Sequence, residues 1–178
     1  MQNTYESLGR HEESTRIRRG VHSRYLSLFG EEHKETLESA INLASSLHHL
    51  QQFGEAKSLF LKAIPAAQRV LGKSDEGTLK MKINYALMLT TDAKATLVDL
   101  NEAIDVLENA IPDAQRAFGA SHPLVVHVEN TLQYSRQTLR AHCLSQLEAS
   151  GLSPTDIDLL ERTQEPLTKT NATSSFVL

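Results

Sequence analysis

The chain has 178 residues, 40% hydrophobic and 22% charged, with 8 Gly, 5 Pro and one Cys; so few breakers exclude a disordered or all-β chain, and one cysteine excludes a disulfide framework. Net charge at pH 7 is −4, and Arg10, Arg16, Arg18, Arg19 and Arg24 crowd the first stretch, so the remainder is acidic and nucleic acid is not an expected partner.

In chain order, the first expected element is a helix over about residues 10–29, placed as a cap with a polar outer face. Its Ser14, Arg18 and Val21 stand where later units carry a small, a large apolar and a small residue. After Phe29-Gly30-Glu31-Glu32-His33, a first unit is expected over about residues 34–72. Ala40, Leu43, Ala44 and Leu47 recur at helical spacing, Phe53-Gly54 punctuates, and Ala56, Leu59, Phe60, Ala63, Ile64 and Ala67 mark a second helix. Mixed small and large side chains let the two helices interlock as an antiparallel hairpin.

A second unit spans about residues 76–119, with Tyr85, Ala86 and Leu89 on one helix and Ala103, Ile104, Leu107, Ala110 and Ile111 on the next. The phrase Ile64-Pro65-Ala66-Ala67-Gln68-Arg69-Val70-Leu71-Gly72 returns as Ile111-Pro112-Asp113-Ala114-Gln115-Arg116-Ala117-Phe118-Gly119. Successive phrase-ending glycines, Gly30, Gly72 and Gly119, lie 42 and 47 residues apart, a period that signals stacked repeats. The five extra residues are assigned to a longer loop between Leu89 and Leu100, and Pro65 and Pro112 are each expected to bend a second helix. A closing helix follows over about residues 122–150, with Gln133 and Arg136 in place of the apolar residues that earlier first helices bury. Beyond Gly151 a short helix is expected at 152–164, opened by Ser153-Pro154, and residues 165–178 read as a disordered tail. Residues 1–151 thus form one helical repeat domain, and a further unit upstream of Met1 is compatible with its phase.

Asn-Leu-Ala on a first helix, Leu-Gly or Phe-Gly after a second, and His122-Pro123 opening the last unit resemble the tetratricopeptide family in its longer, kinesin-light-chain version, over about residues 9–140. The resemblance implies an all-α, right-handed superhelix of stacked antiparallel hairpins, about six long helices and one short one. It also implies that first helices line a concave groove, which would carry Glu38, Asn42, Ser45, His49, Lys80, Asn84 and Thr91. Asn in a helix interior costs roughly 0.5–0.7 kcal/mol relative to Ala, so its recurrence at 42 and 84 calls for a reason. A carboxamide donates and accepts at once, matching the backbone of an extended peptide.

No nucleophile with its base, phosphate-cradling glycine loop or spaced metal ligands occurs, so no catalytic residue, metal or cofactor is expected. His48 and His49 project about 100° apart on a helix and cannot readily share an ion. Arg16, Arg19 and Arg24 offer a face for an acidic partner, with solvated capping as the plainer account. Phe176-Val177-Leu178 resembles an apolar C-terminal ligand of a β-augmenting domain, and Asn171-Ala172-Thr173 fits a glycosylation acceptor that has no role without a secretory signal. The opening residues lack the apolar core of such a signal, so a cytoplasmic setting is expected, and no apolar run is long enough for membrane insertion. The expected function is a scaffold holding a protein or peptide partner in its groove. The alternative is a structural subunit built into a larger complex through its convex face or ends.

Overall fold

The computed structural model describes residues 2–149, with side chains from residue 10 onward. The 152–164 helix, the 165–178 tail and the two C-terminal motifs lie outside the described residues. Seven helices follow one another: α1 (Gln2–Phe29), α2 (Lys34–His49), α3 (Phe53–Val70), α4 (Glu76–Thr91), α5 (Leu97–Glu108), α6 (Ile111–Phe118) and α7 (Pro123–Ala149). There is no strand among the described residues. The chain divides into a unit of residues Met1–Leu139 and a second of Arg140–Leu178, whose described part is the 140–149 stretch of α7.

Within the first unit each helix packs on the next in sequence from α1 to α5, and α2 also touches α4. That neighbour-only pattern is stacked helical hairpins, in which no hairpin can bury its apolar face alone. The main core gathers Leu43, Ala44 and Leu47 of α2, Ala56 and Phe60 of α3, Tyr85, Ala86 and Leu89 of α4, Ala103 and Leu107 of α5, and Val125 and Val128 of α7. Alanines at the contacts let helix axes approach closely, while Phe60 and Tyr85 fill the space between, ring centroids 5.7 Å apart.

The connections show why Gly-x-x-His or Gly-x-x-Asp recurs. Gly30, Gly72 and Gly119 have φ of +82°, +100° and +81°, a region where a Cβ is strained. Three residues on, His33, Asp75 and His122 each accept hydrogen bonds from the free backbone N–H groups opening the following helix. The aromatic residue before the glycine completes the joint in two cases: Phe29 stacks on His33 at 4.4 Å and Phe118 on His122 at 4.8 Å. His33 and His122 therefore serve as helix caps. Asp75 carries two such bonds, at 2.8 and 3.2 Å, and Asp75→Ala should lower stability by about 1 kcal/mol in chemical denaturation.

Three features differ from the sequence expectations. Helix α1 begins at Gln2, well before residue 10. The five inserted residues divide: the α4–α5 loop, 92–96, is two longer than the α2–α3 loop, 50–52, and the other three extend the start of α5. Pro65 lies inside a continuous α3, whereas Pro112 sits in the first turn of a new helix, α6. The reason is local. At the break the ladder tightens, Asn109 N–H donating to Asp105 O at 3.1 Å and Ala110 N–H to Leu107 O at 2.9 Å, and Pro112 has no N–H to offer the carbonyl of Glu108. Once α5 has ended, a proline in the next first turn costs no hydrogen bond.

Candidate functional site

The first helices α2 and α4 enclose an open groove of about 410 Å³, lined by Lys34, Leu37, Glu38, Ile41 and Asn42 from α2 and by Glu76, Gly77, Lys80 and Met81 from α4, with Leu71 and Asp75 at its end. The lining mixes apolar side chains with charges of both signs. Leu37 and Met81 are nearly fully buried and form its floor, and ion pairs rim it: Lys34 Nζ to Glu38 at 3.7 Å and Lys80 Nζ to Glu76 at 2.6 Å. Lys80 holds the Glu76 carboxyl below its ordinary range, first by hydrogen bonding and then by charge. Both pairs are more than half exposed on one partner at least and link residues four apart, so they orient the rims rather than stabilise the fold.

Of the residues expected to share a groove, Glu38, Asn42 and Lys80 line this cavity, and Asn42 is exposed there. Its carbonyl accepts from Arg18 Nη1 and Ser46 Oγ, but its carboxamide makes no hydrogen bond with any described residue. Asn84, half-buried, likewise leaves its carboxamide without a described partner, and it lies outside the cavity lining, as do Ser45, His49 and Thr91. His49 stacks on His11 of α1 with centroids 5.8 Å apart. Thr91 Oγ1 donates to Leu87 O at 2.7 Å and lies 2.7 Å from His48 Nε2, so it accepts from that nitrogen. Burial first, and the neighbouring His49 second, push the His48 imidazole below its ordinary pKa, which keeps it neutral at pH 7. The apolar floor of Leu37, Ile41 and Met81 had no sequence signal, because apolar spacing marks a helix face without telling a core from a groove floor.

The arginines of α1 do not form one free basic face. Arg16 is clamped by Glu13 on its own helix at 2.9 and 2.7 Å, and Arg19 reaches Glu55 of α3 with both guanidinium nitrogens. Arg24 is exposed and has no partner among the described residues.

On the other side of α4, Phe60, Leu61, Ile64, Tyr85, Glu102 and Val106 line a second cavity of about 320 Å³ together with Lys82, a residue only 5% exposed whose ammonium burial pushes below the ordinary lysine pKa. Beside it, Tyr85 donates to Glu102 at 2.5 Å and Lys57 bridges Glu102 and Asp99, a network tying α3, α4 and α5 together. Among the described residues no three His, Cys, Asp or Glu side chains are placed to hold a metal ion, and no helix is long and apolar enough to cross a membrane.

Residues 3–69, which contain α2 and all but an end residue of α1 and α3, match the tetratricopeptide repeat family model. The crystal structure of BtubC (BKLC) from P. vanneervenii shares the fold, with a TM-score of 0.56 at 13% sequence identity, over 98% of this chain and 66% of that one. No curated protein matches the sequence. The architecture is thus a stacked helical repeat of the tetratricopeptide-like fold, and repeats of the matched family in general mediate contacts between proteins.

Proposed function

We propose that this chain, as a repeat protein close to the kinesin-light-chain version of the family, holds an extended peptide segment of a partner protein in the groove between α2 and α4. The observation that carries the reading is Asn42. It is a poor helix former, exposed at the groove, with a carboxamide that no described residue engages. A peptide backbone laid beside it supplies the N–H and C=O that such a group requires. Glu38 and Lys80 place one charge of each sign on the same lining, favouring a ligand of mixed charge.

The test is peptide capture from a displayed library by the parent chain and by the Asn42→Ala, Asn84→Ala double variant. Captured peptides should bind the variant at least about tenfold more weakly, the loss of one or two hydrogen bonds without replacement. Thermal stability should hold or rise, since each exchange gains about 0.5–0.7 kcal/mol of helix propensity. Equal affinity for the two proteins would end the groove reading.

One observation supports a second reading, a structural subunit fixed in a larger assembly: the groove lining contains no aromatic residue, whereas binding hot spots draw on Trp, Tyr and Arg. A stoichiometric complex recovered from cells, unaffected by the double variant but lost on altering the end helices, would favour that reading.

A further inference from the structure

Helix α3 is packed on two sides. Its Leu59, Ala63 and Ala66 meet Leu37 and Ala40 of α2, its own hairpin mate. Shifted back by the 42-residue repeat, those positions fall on Ile17, Val21 and Arg24 of α1. Yet α1 packs mainly on α2, with Arg19 alone bonded to α3, and it meets α2 through its other flank: Thr15 is buried, Arg18 Nη1 donates to Asn42 O at 3.0 Å, and His22 Nδ1 lies 3.0 Å from Ser39 Oγ. Its mate-facing side stands open, with Ile17 57% exposed, Val21 42% and Leu28 61%. Apolar residues thus stand among the exposed polar ones of α1, while Arg18 reaches the Asn42 carbonyl and the Ser46 hydroxyl of α2.

The open side has the form of a helix-docking seam. Arg10, Ser14, Ile17, Val21, Arg24 and Leu28 follow one another at alternating spacings of four and three, the heptad interval that keeps one stripe against a second helix. Gly20, beside the stripe, sits in the helix interior, where it costs about 1 kcal/mol relative to Ala. A Cβ there would meet nothing within 4 Å, so the space is free for another backbone. Arg24 lies in the seam without a described partner, so a helix covering it must bring a carboxylate or leave a guanidinium uncompensated. A second copy of α1 does not meet this need along the stripe, since it would oppose a seam containing Arg10 and Arg24 with the same residues.

We propose that this side of α1 docks an acidic amphipathic helix of a partner protein, which takes the place that α2 holds beside α3. The surface is distinct from the α2–α4 groove, so either assignment can fail alone.

The test uses the full chain and a labelled synthetic three-heptad peptide with Leu and Ala along its seam and Glu on the flanks, beside a twin with Lys replacing every Glu. Fluorescence anisotropy should show saturable binding of the Glu peptide and at least tenfold weaker binding of the Lys twin. Ile17→Asp with Val21→Asp should weaken the Glu peptide at least tenfold, and Arg24→Glu should reverse the preference between the two peptides. Helicity and melting temperature of the variants should match the parent, because these side chains are exposed; if the Asp pair fails to fold, Ile17→Ser with Leu28→Ser takes its place. No binding, binding indifferent to the substitutions, or no reversal with Arg24→Glu overturns the proposal. So does a dimer, seen by light scattering, that Val21→Asp dissolves, because the occupant is then a second copy.

Discussion

Phe60→Ala is expected to destabilise the fold by about 3–5 kcal/mol. The side chain is 2% exposed and belongs to the cluster that joins α2, α3, α4 and α5. Helices held from several sides cannot collapse into the space a ring would leave, so the cavity persists. The variant also forfeits the tilted contact with Tyr85, worth about 0.5–1.5 kcal/mol beyond burial, and Tyr85 cannot swing over to compensate because Glu102 accepts from its hydroxyl. Phe60→Leu should cost less than about 1.5 kcal/mol, since the next unit already fills the equivalent position with Leu107, wholly buried. Urea unfolding followed by circular dichroism separates the two. A Phe60→Ala midpoint no lower than that of Phe60→Leu would mean that this cluster does not hold the hairpins together. The loss should spread to both adjoining hairpins, because in a stacked array the interface terms carry much of the stability.

The hairpins were legible in the sequence because apolar spacing and burial report the same thing: Ala40, Leu43, Ala44 and Leu47 were read as one face and are all buried. The joints were half legible. The glycine positions were evident from repetition, but that His33, Asp75 and His122 are interchangeable caps emerges only when their side-chain acceptors are seen on the same backbone N–H positions. The division at Asn109 was missed because the apolar spacing runs on through it and Pro112 was read as a bend within one helix, as Pro65 was, rather than as the first turn of the next. The groove was legible only in its polar members. Which of them share a cavity depends on how α2 and α4 are set against each other, and spacing within one helix holds no information on that: Asn42 lines the cavity, Asn84 one repeat later does not. On α1 the pattern was partly legible: Arg18 is exposed, as its polarity suggested, but its bonds to two acceptors on α2 and the exposure of Ile17 and Val21 had no signal in the spacing.

Lowering pH from about 5 to 2 should remove about 1–2 kcal/mol of stability that Asp99→Asn lacks from the outset. Asp99 accepts from Lys57 Nζ at 2.7 Å, from the Thr96 hydroxyl at 2.6 Å and from the Thr96 backbone N–H at 3.1 Å. Those bonds, Lys57 first, hold its pKa at about 2 against an unfolded value of 3.8. A carboxyl group depressed in this way stabilises the fold fully above its unfolded pKa, and the contribution drains away as pH falls through 3.8 toward the folded value. At 1.36 kcal/mol per pKa unit the ceiling is about 2.5 kcal/mol, and solvent at a side chain 24% exposed reduces it to about 1–2 kcal/mol. The same residue closes the capping box at the start of α5, so the variant should also show faster amide exchange in the first turn of that helix. Tyr85 does not share this titration: burial, then its bond to Glu102, raise the phenol pKa and keep it protonated throughout. Urea midpoints of parent and Asp99→Asn at about pH 7, 4, 3 and 2 should therefore converge as the solution becomes acid. Parallel curves would show that Lys57 gains as much from Glu102 alone, at 3.1 Å, and that Asp99 is only a helix cap.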